Sequence, residues 1–370
     1  MRSVFLVAAL WAAPFATAQE TVETAAPEEQ DDRVTLTGLV QTQFDTSSEA
    51  EDETDLRLRR VRLGAEIQVA PRVTGRIDAE LANAATGGSA ELNEAYAQIE
   101  LAPAALLLVG KGGRPFGIVD ATGAGELTPI ERGAVVRGAQ PVEQYRTLEA
   151  IAYAGRSVGV QLQGDVPGLP VGLAYAAGYF SGTTGEEGGS ADIHQLAARV
   201  AVTPVPAVTV GLAATSRSFG SDERAGFDAD GGVTGADPSG ERQRGAAYAV
   251  DVEIGENGRP GPRLLAELAA GTLDPFADAR FVSAQGWAAW RVPVGAPLVD
   301  AVEPLFRASW ADNDGPLGDL DGTLLTPGVN VYLAERTRVM LNLDVFLPGA
   351  GSPGDPGTLY AVRSQVQIAF

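Results

Sequence analysis

The chain has 370 residues, a formal charge of −21, 45 Gly, 23 Pro, a single His and no Cys. The missing Cys excludes disulfides and thiolate chemistry, and a lone His leaves no partner for a catalytic triad of the usual kind. No enzymatic activity, cofactor, bound metal or nucleic-acid partner is expected.

At the N-terminus, Met1 and Arg2 precede the apolar run VFLVAALWAAPFA, which closes on ATA ending at Ala18. This reads as a secretory signal peptide over residues 1–18. Residues 19–32 are acidic and poor in apolar side chains, as in a disordered linker. No later segment reaches the ~18–20 unbroken apolar residues of a membrane helix. The exported chain is therefore periplasmic, secreted, or a barrel in an outer membrane.

From residue 33 onward, apolar residues recur at every second position. Val61, Leu63, Ala65, Ile67 and Val69 alternate with Arg62, Gly64, Glu66 and Gln68. Val339, Leu341, Leu343 and Val345 oppose Arg338, Asn342 and Asp344, and the final stretch YAVRSQVQIAF alternates up to Phe370. Period two is the strand signature, because successive side chains point to opposite faces. The expected strands are 33–45, 56–69, 72–82, 92–101, 104–112, 155–165, 171–180, 192–203, 206–217, 245–255, 262–272, 281–293, 302–311, 325–334, 337–346 and 359–370. Residues 146–154 are left inside a connection, which makes the strand number even.

Connections alternate between short and long. APR at 70–72, APA at 102–104, VPGLP at 166–170 and TPVPA at 203–207 are tight. Gly- and acid-rich stretches such as 46–55, 181–191, 218–244 and 347–358 are long. A soluble sandwich would bury the apolar face, whereas a membrane barrel turns it to lipid and its polar face to a watery lumen. Tight turns on one side and long loops on the other are the rhythm of an outer-membrane barrel, and no fixed-period repeat favours a propeller. The fold expected for residues 33–370 is an all-β transmembrane antiparallel barrel of about 16 strands. Phe370 then joins an interfacial aromatic girdle, and the aromatic end serves the outer-membrane insertion machinery.

The longest connection, 113–154, follows LLLVGKGGRPFG. The pattern of Val109, Gly110, Lys111, Pro115, Phe116 and Gly117, with ERG at 131–133, resembles the family of phosphate-selective porins O and P. GRSVGVQLQG at 155–164, LTGLVQTQFD at 36–45 and LRLRRVRLGAEIQV at 56–69 also look like that family. The resemblance implies a sixteen-stranded homotrimeric porin in the outer membrane, in contact with lipid and lipopolysaccharide. It implies a third outer loop folded into the lumen and a preference for anions such as phosphate.

Selectivity in a pore is set by its width and by the charges at its narrowest point. The candidates are Arg60, Arg62 and Arg76 on the lumen parity of two neighbouring strands, Lys111 and Arg114 at the root of the inward loop, and Arg132 and Arg137 within it. Two readings of the wall Arg residues stand side by side. One is a ladder that guides anions; the other is a lattice of cross-strand ion pairs with Glu66, Asp78 and Glu80. With one Lys in the chain, a Lys-rich funnel cannot exist, and the acidic stretch SSEAEDETD would draw cations to the mouth. DNDGPLGDLDG at 312–322 has the look of a calcium loop, but Pro316 stands where a ligand would be, and a solvated turn is the plainer reading. The main functional reading is passive diffusion of small hydrophilic or ionic solutes. The alternative is a structural or adhesive barrel with a closed lumen and acidic loops that bind divalent cations.

Overall fold

The computed structural model describes residues 33–49, 54–181, 194–220, 242–314, 320–334, 336–349 and 357–370. The expected signal peptide and linker lie outside the described residues, as do parts of several long connections and the middle of 312–322.

The elements are β1 (Val34–Ser47), β2 (Asp55–Ala70), β3 (Val73–Glu80), β4 (Glu91–Ala102), β5 (Ala105–Gly113), α1 (Ile118–Ala121), β6 (Pro141–Val142), α2 (Gln144–Ala150), β7 (Arg156–Asp165), β8 (Gly172–Ser181), β9 (His194–Val205), β10 (Val208–Gly220), β11 (Arg242–Ile254), β12 (Gly261–Asp274), β13 (Ala279–Ala296), β14 (Val299–Asn313), β15 (Leu320–Tyr332), β16 (Arg338–Pro348) and β17 (Leu359–Ala369). β6 is a two-residue bridge that runs parallel to the start of β15. The other sixteen strands each pair antiparallel with their neighbours along the barrel, and β17 returns to β1 in register from Leu39↔Ala369 to Ser47↔Ala361. Gly38 N donates to Phe370 O at 2.8 Å and Phe370 N to Gly38 O at 3.1 Å, completing the seam. The sheet therefore closes into one barrel without a free edge, as spanning strands require. Residues 146–154 are not a strand: α2 occupies most of them.

Burial is inverted relative to a soluble protein. On β17, Tyr360, Val362, Val366 and Ile368 are 39–55% exposed, whereas Arg363, Gln365 and Gln367 are at most 2% exposed. The apolar parity thus faces outward and the polar parity inward, which is the arrangement lipid demands. No helix among the described residues is long and apolar enough to cross a membrane. The wall is uneven in height: β3, β5 and β7 have 8, 9 and 10 residues, while β13 and β14 have 18 and 15.

Candidate functional site

The interior is shaped by the segment between β5 and β7, which carries α1, β6 and α2. Its apolar side chains meet the inward parity of the wall. Phe116, Val142, Leu148, Ile151 and Tyr153 pack with Phe180, Phe219, Leu273 and Phe281. Ile118, Val119 and Leu127 pack with Leu265 and Trp287, and Ala134 and Val136 with Leu324, Phe346 and Leu359. Inward small residues such as Ala197, Ala213, Ala247 and Ala269 make room for this packing.

Polar contacts follow the same surface. Wall side chains donate to segment carbonyls: Gln195 to Tyr153 O (2.9 Å), Arg217 to Ile151 O (2.7 Å), Gln285 to Arg132 O (2.8 Å) and Arg338 to Leu127 O (2.6 Å). Wall carboxylates accept in return. Glu267 takes the Ile118 N–H and the Gln144 side-chain amide. Within the segment, Glu143 caps α2 by accepting from the N–H groups of Tyr145 and Arg146, the N-cap role that satisfies otherwise orphaned donors.

Glu131 is the main electrostatic anchor. Its carboxylate lies 2.6 Å from Arg59 Nε and 3.1 Å from an Arg60 amino group, and Gln43 Nε2 donates to it at 2.8 Å. Burial alone would push this carboxyl up, but the guanidiniums of Arg60 and Arg59 outweigh it and hold the group well below the usual carboxylate range. Next to this anchor, a chain of ion pairs runs around the wall. Arg307 and Arg363 share Asp344 at 3.0 and 2.7 Å, and Asp45 pairs with Arg137 at 2.7 Å and with Arg57 at 3.5 Å.

The residues singled out in the sequence divide sharply. Arg60 is 5% exposed and held under Glu131. Arg62 pairs with Glu80 at 2.9 Å, and Arg76 with Glu94 at 3.2 Å and more loosely with Glu66 at 3.9 Å. Arg114 is 1% exposed, with hydrogen bonds to Ser157 Oγ and Ala154 O. Arg132 is 6% exposed and donates to Val119 O and Thr122 O, so it braces the segment from within. Lys111 is a correction: it stands opposite Ala95 and Val158, on the outward parity, and its Nζ donates to Leu92 O at 2.7 Å. It does not line the interior.

Several functional residues were given no role at the level of sequence. Arg59 joins Arg60 on Glu131 because the β1–β2 register shifts between Gln41 and Thr42; such a bulge re-aims one side chain. Asp344, Arg307 and Arg363 were visible as charged residues on the inward parity. Their convergence depends on strand register, which no spacing within one strand reveals.

Around β9–β17 the inner wall is buried, whereas β2–β5 and β7 keep half-buried inward side chains such as Arg62, Arg76, Tyr96, Gln98, Leu108 and Gln163. The uncovered interior lies along this lower wall. Its guanidiniums are engaged with carboxylates, as opposite charges on adjacent strands favour.

Comparison with known proteins agrees with this architecture. The family described as phosphate-selective porin O and P matches residues 34–225. The fold is similar to an anion-selective porin from Comamonas acidovorans (14% identity, TM-score 0.60, covering 91% of this chain and 99% of that one). It is also similar to OmpF of Salmonella typhi in complex with daunomycin (14% identity, TM-score 0.60, 90% and 97% covered). A third likeness is the trimer form of OmpT, an outer membrane protein of Vibrio cholerae (13% identity, TM-score 0.56, 90% and 99% covered). Among curated proteins none matches the sequence.

Proposed function

Because the chain belongs to the family of phosphate-selective porins O and P, we propose that it is an outer-membrane channel for passive diffusion of small hydrophilic and ionic solutes. The observation that carries this reading is the uncovered lower wall. A closed barrel with a polar inward parity still has half-buried Arg62, Arg76, Tyr96 and Gln98 facing its interior beside the internal segment. That segment acts as the constriction, the part played by the inward-folded third outer loop expected from the family. Export by the N-terminal signal peptide and assembly by the outer-membrane insertion machinery, among lipid and lipopolysaccharide, belong to the same reading.

Selectivity for phosphate has weaker support. Arg60, Arg62 and Arg76 each spend their charge on a carboxylate, which favours the lattice over the ladder. A modest preference among ions follows, with Arg62 and Arg76 as the wall charges nearest the path.

A homotrimer is part of the proposal. Tyr179, Tyr248, Trp290, Trp310, Tyr360 and Phe370 face outward and are 39–68% exposed. Among the described residues, no outward aromatic stands on β2, β3, β4, β5 or β7, and these strands include the shortest in the wall. A wall that is low and lacks its interfacial girdle is better covered by another copy than by lipid.

Purified protein in a planar bilayer should give discrete conductance steps in KCl. The extensive burial of the inner wall on β9–β17 favours a second reading, a closed structural barrel. Absence of any steps at saturating protein would establish that reading in place of the channel.

A further inference from the structure

The lower wall changes character toward the tight-turn end. In the row of Glu66, Arg76 and Tyr96, neighbours across the strands are charged or aromatic. One row further, Gln68, Thr74, Gln98, Leu108 and Gln161 stand side by side on the inward parity. In the next, Glu100 and Gln163 flank Leu106. This part of the wall is a strip of amides with two leucines set between them; its nearest cation is Arg72, at the turn, whose carbonyl accepts from Glu100 N at 2.9 Å.

Two details set the strip apart from an inert wall. Gln161 is 5% exposed, its Nε2 donates to Gln163 Oε1 at 2.6 Å, and its own Oε1 has no partner. A buried amide oxygen without a donor is costly, and native structures rarely leave one so. Leu106 and Leu108 are half-buried on a face that is otherwise polar. An apolar residue at a watery lumen gains only when a solute with an apolar side covers it.

We propose that the inner faces of β4, β5 and β7 form a subsite for neutral polyhydroxylated solutes, such as a short oligosaccharide. The inference rests on the open-channel reading above. Hydroxyls are donors and acceptors at once, so they match amides, which are also both. The C–H face of a sugar ring covers Leu106 and Leu108, with Tyr96 one row above. The half-buried amides of Gln98 and Gln163 meet its hydroxyls, with Gln161 behind holding Gln163 Oε1 in place. Gln98 and Gln161 lie two strands apart, ~10 Å at the usual interstrand spacing, so one or two rings span the strip. Inorganic anions gain little here: the amides carry no charge, and the one neighbouring cation, Arg72, stands opposite the carboxylate of Glu100.

The test is current block in a planar bilayer. A neutral trisaccharide is titrated onto single channels in KCl, with the protein trimeric and full length. The wild type should show concentration-dependent interruptions of current. Each of Gln98→Ala and Gln163→Ala should weaken the block about fivefold, the worth of one uncharged hydrogen bond. Leu106→Ala with Leu108→Ala should weaken it further, while Lys111→Gln, on the outward face, should leave it unchanged. Unaltered KCl conductance in each variant certifies that the barrel is intact. Conductance with no sugar block, or block equal in all variants, overturns the subsite while the channel reading stands. No conductance in the wild type overturns both.

Discussion

Replacing Glu131 with Gln removes the charge that ties the internal segment to β2. The carboxylate is buried between Arg59 and Arg60, whose side chains are 35% and 6% exposed. Losing it leaves the Arg60 guanidinium buried without a counter-charge, which costs about 3–5 kcal/mol when one partner of a buried pair is removed. Arg59 reaches water and adds little. The apolar packing of Phe116, Leu127 and Tyr153 holds the rest of the segment, so the barrel remains closed while the strap near 131–133 detaches more often. A 3 kcal/mol change raises the detached population about a hundredfold, since each 1.4 kcal/mol is tenfold. Single-channel recording reads this directly as open-level noise and brief closures.

The pH dependence gives a second readout with a definite sign. The Glu131 carboxyl is held well below its ordinary value of 4.5. A depressed carboxylate contributes anchoring that is fully present above the unfolded value and is lost as pH falls through the folded one. Wild-type channels should therefore stay quiet from neutral pH down to about 4, the usual glutamate range, and become noisy only in stronger acid. Glu131→Gln channels should be noisy throughout and show no further acid transition. A variant as quiet as wild type at pH 7 would refute the anchoring argument.

Other perturbations separate the roles of neighbouring residues. At the β1–β17 seam, an added Cβ on Gly38 would collide with the Phe370 ring, so Gly38→Val should destabilise the barrel by about 1–3 kcal/mol of overpacking, read as a lower melting temperature, and Phe370→Ala in the same chain should recover part of it. Lys111→Gln should leave the reversal potential in a KCl gradient unchanged, because the ammonium faces outward; a shift would show that it lines the path. Arg62→Ala frees Glu80 on the uncovered wall and should move the reversal potential toward cations, whereas Arg60→Ala should mainly add noise. Equal selectivity shifts from both would restore the ladder reading.

The barrel was legible because lipid imposes period two on every strand, and sixteen segments carried it. Strand ends moved by a few residues, and a helix over Gln144–Ala150, capped by Glu143, occupies the part of the connection that includes 146–150. What period two could not tell is which face a strand turns inward when both parities are apolar or small. On β5, Leu106, Leu108, Gly110 and Gly112 compete with Leu107, Val109 and Lys111, and only the register of Gly110 opposite Tyr96 decides. Lys111 was misplaced for that reason: its nearness to the root of the segment suggested a pore charge, while its parity with Val109 pointed outward.

The same ambiguity hid the strip on β4, β5 and β7. Nothing in the sequence separates Leu106 and Leu108 from Leu107 and Val109; strand register alone turns the first pair inward. The charged candidates drew attention because charge is conspicuous in a sequence, yet a guanidinium opposite a carboxylate is spent on its partner. Along the lower wall, half-buried amides and leucines stand beside those spent charges, and sequence alone cannot distinguish them from filler. Solute preference in such a wall is therefore decided by what remains after neighbouring strands have satisfied one another. That remainder is set by register, through bulges such as those at Gln41/Thr42 and Asp78/Ala79, more than by the count of Arg and Lys.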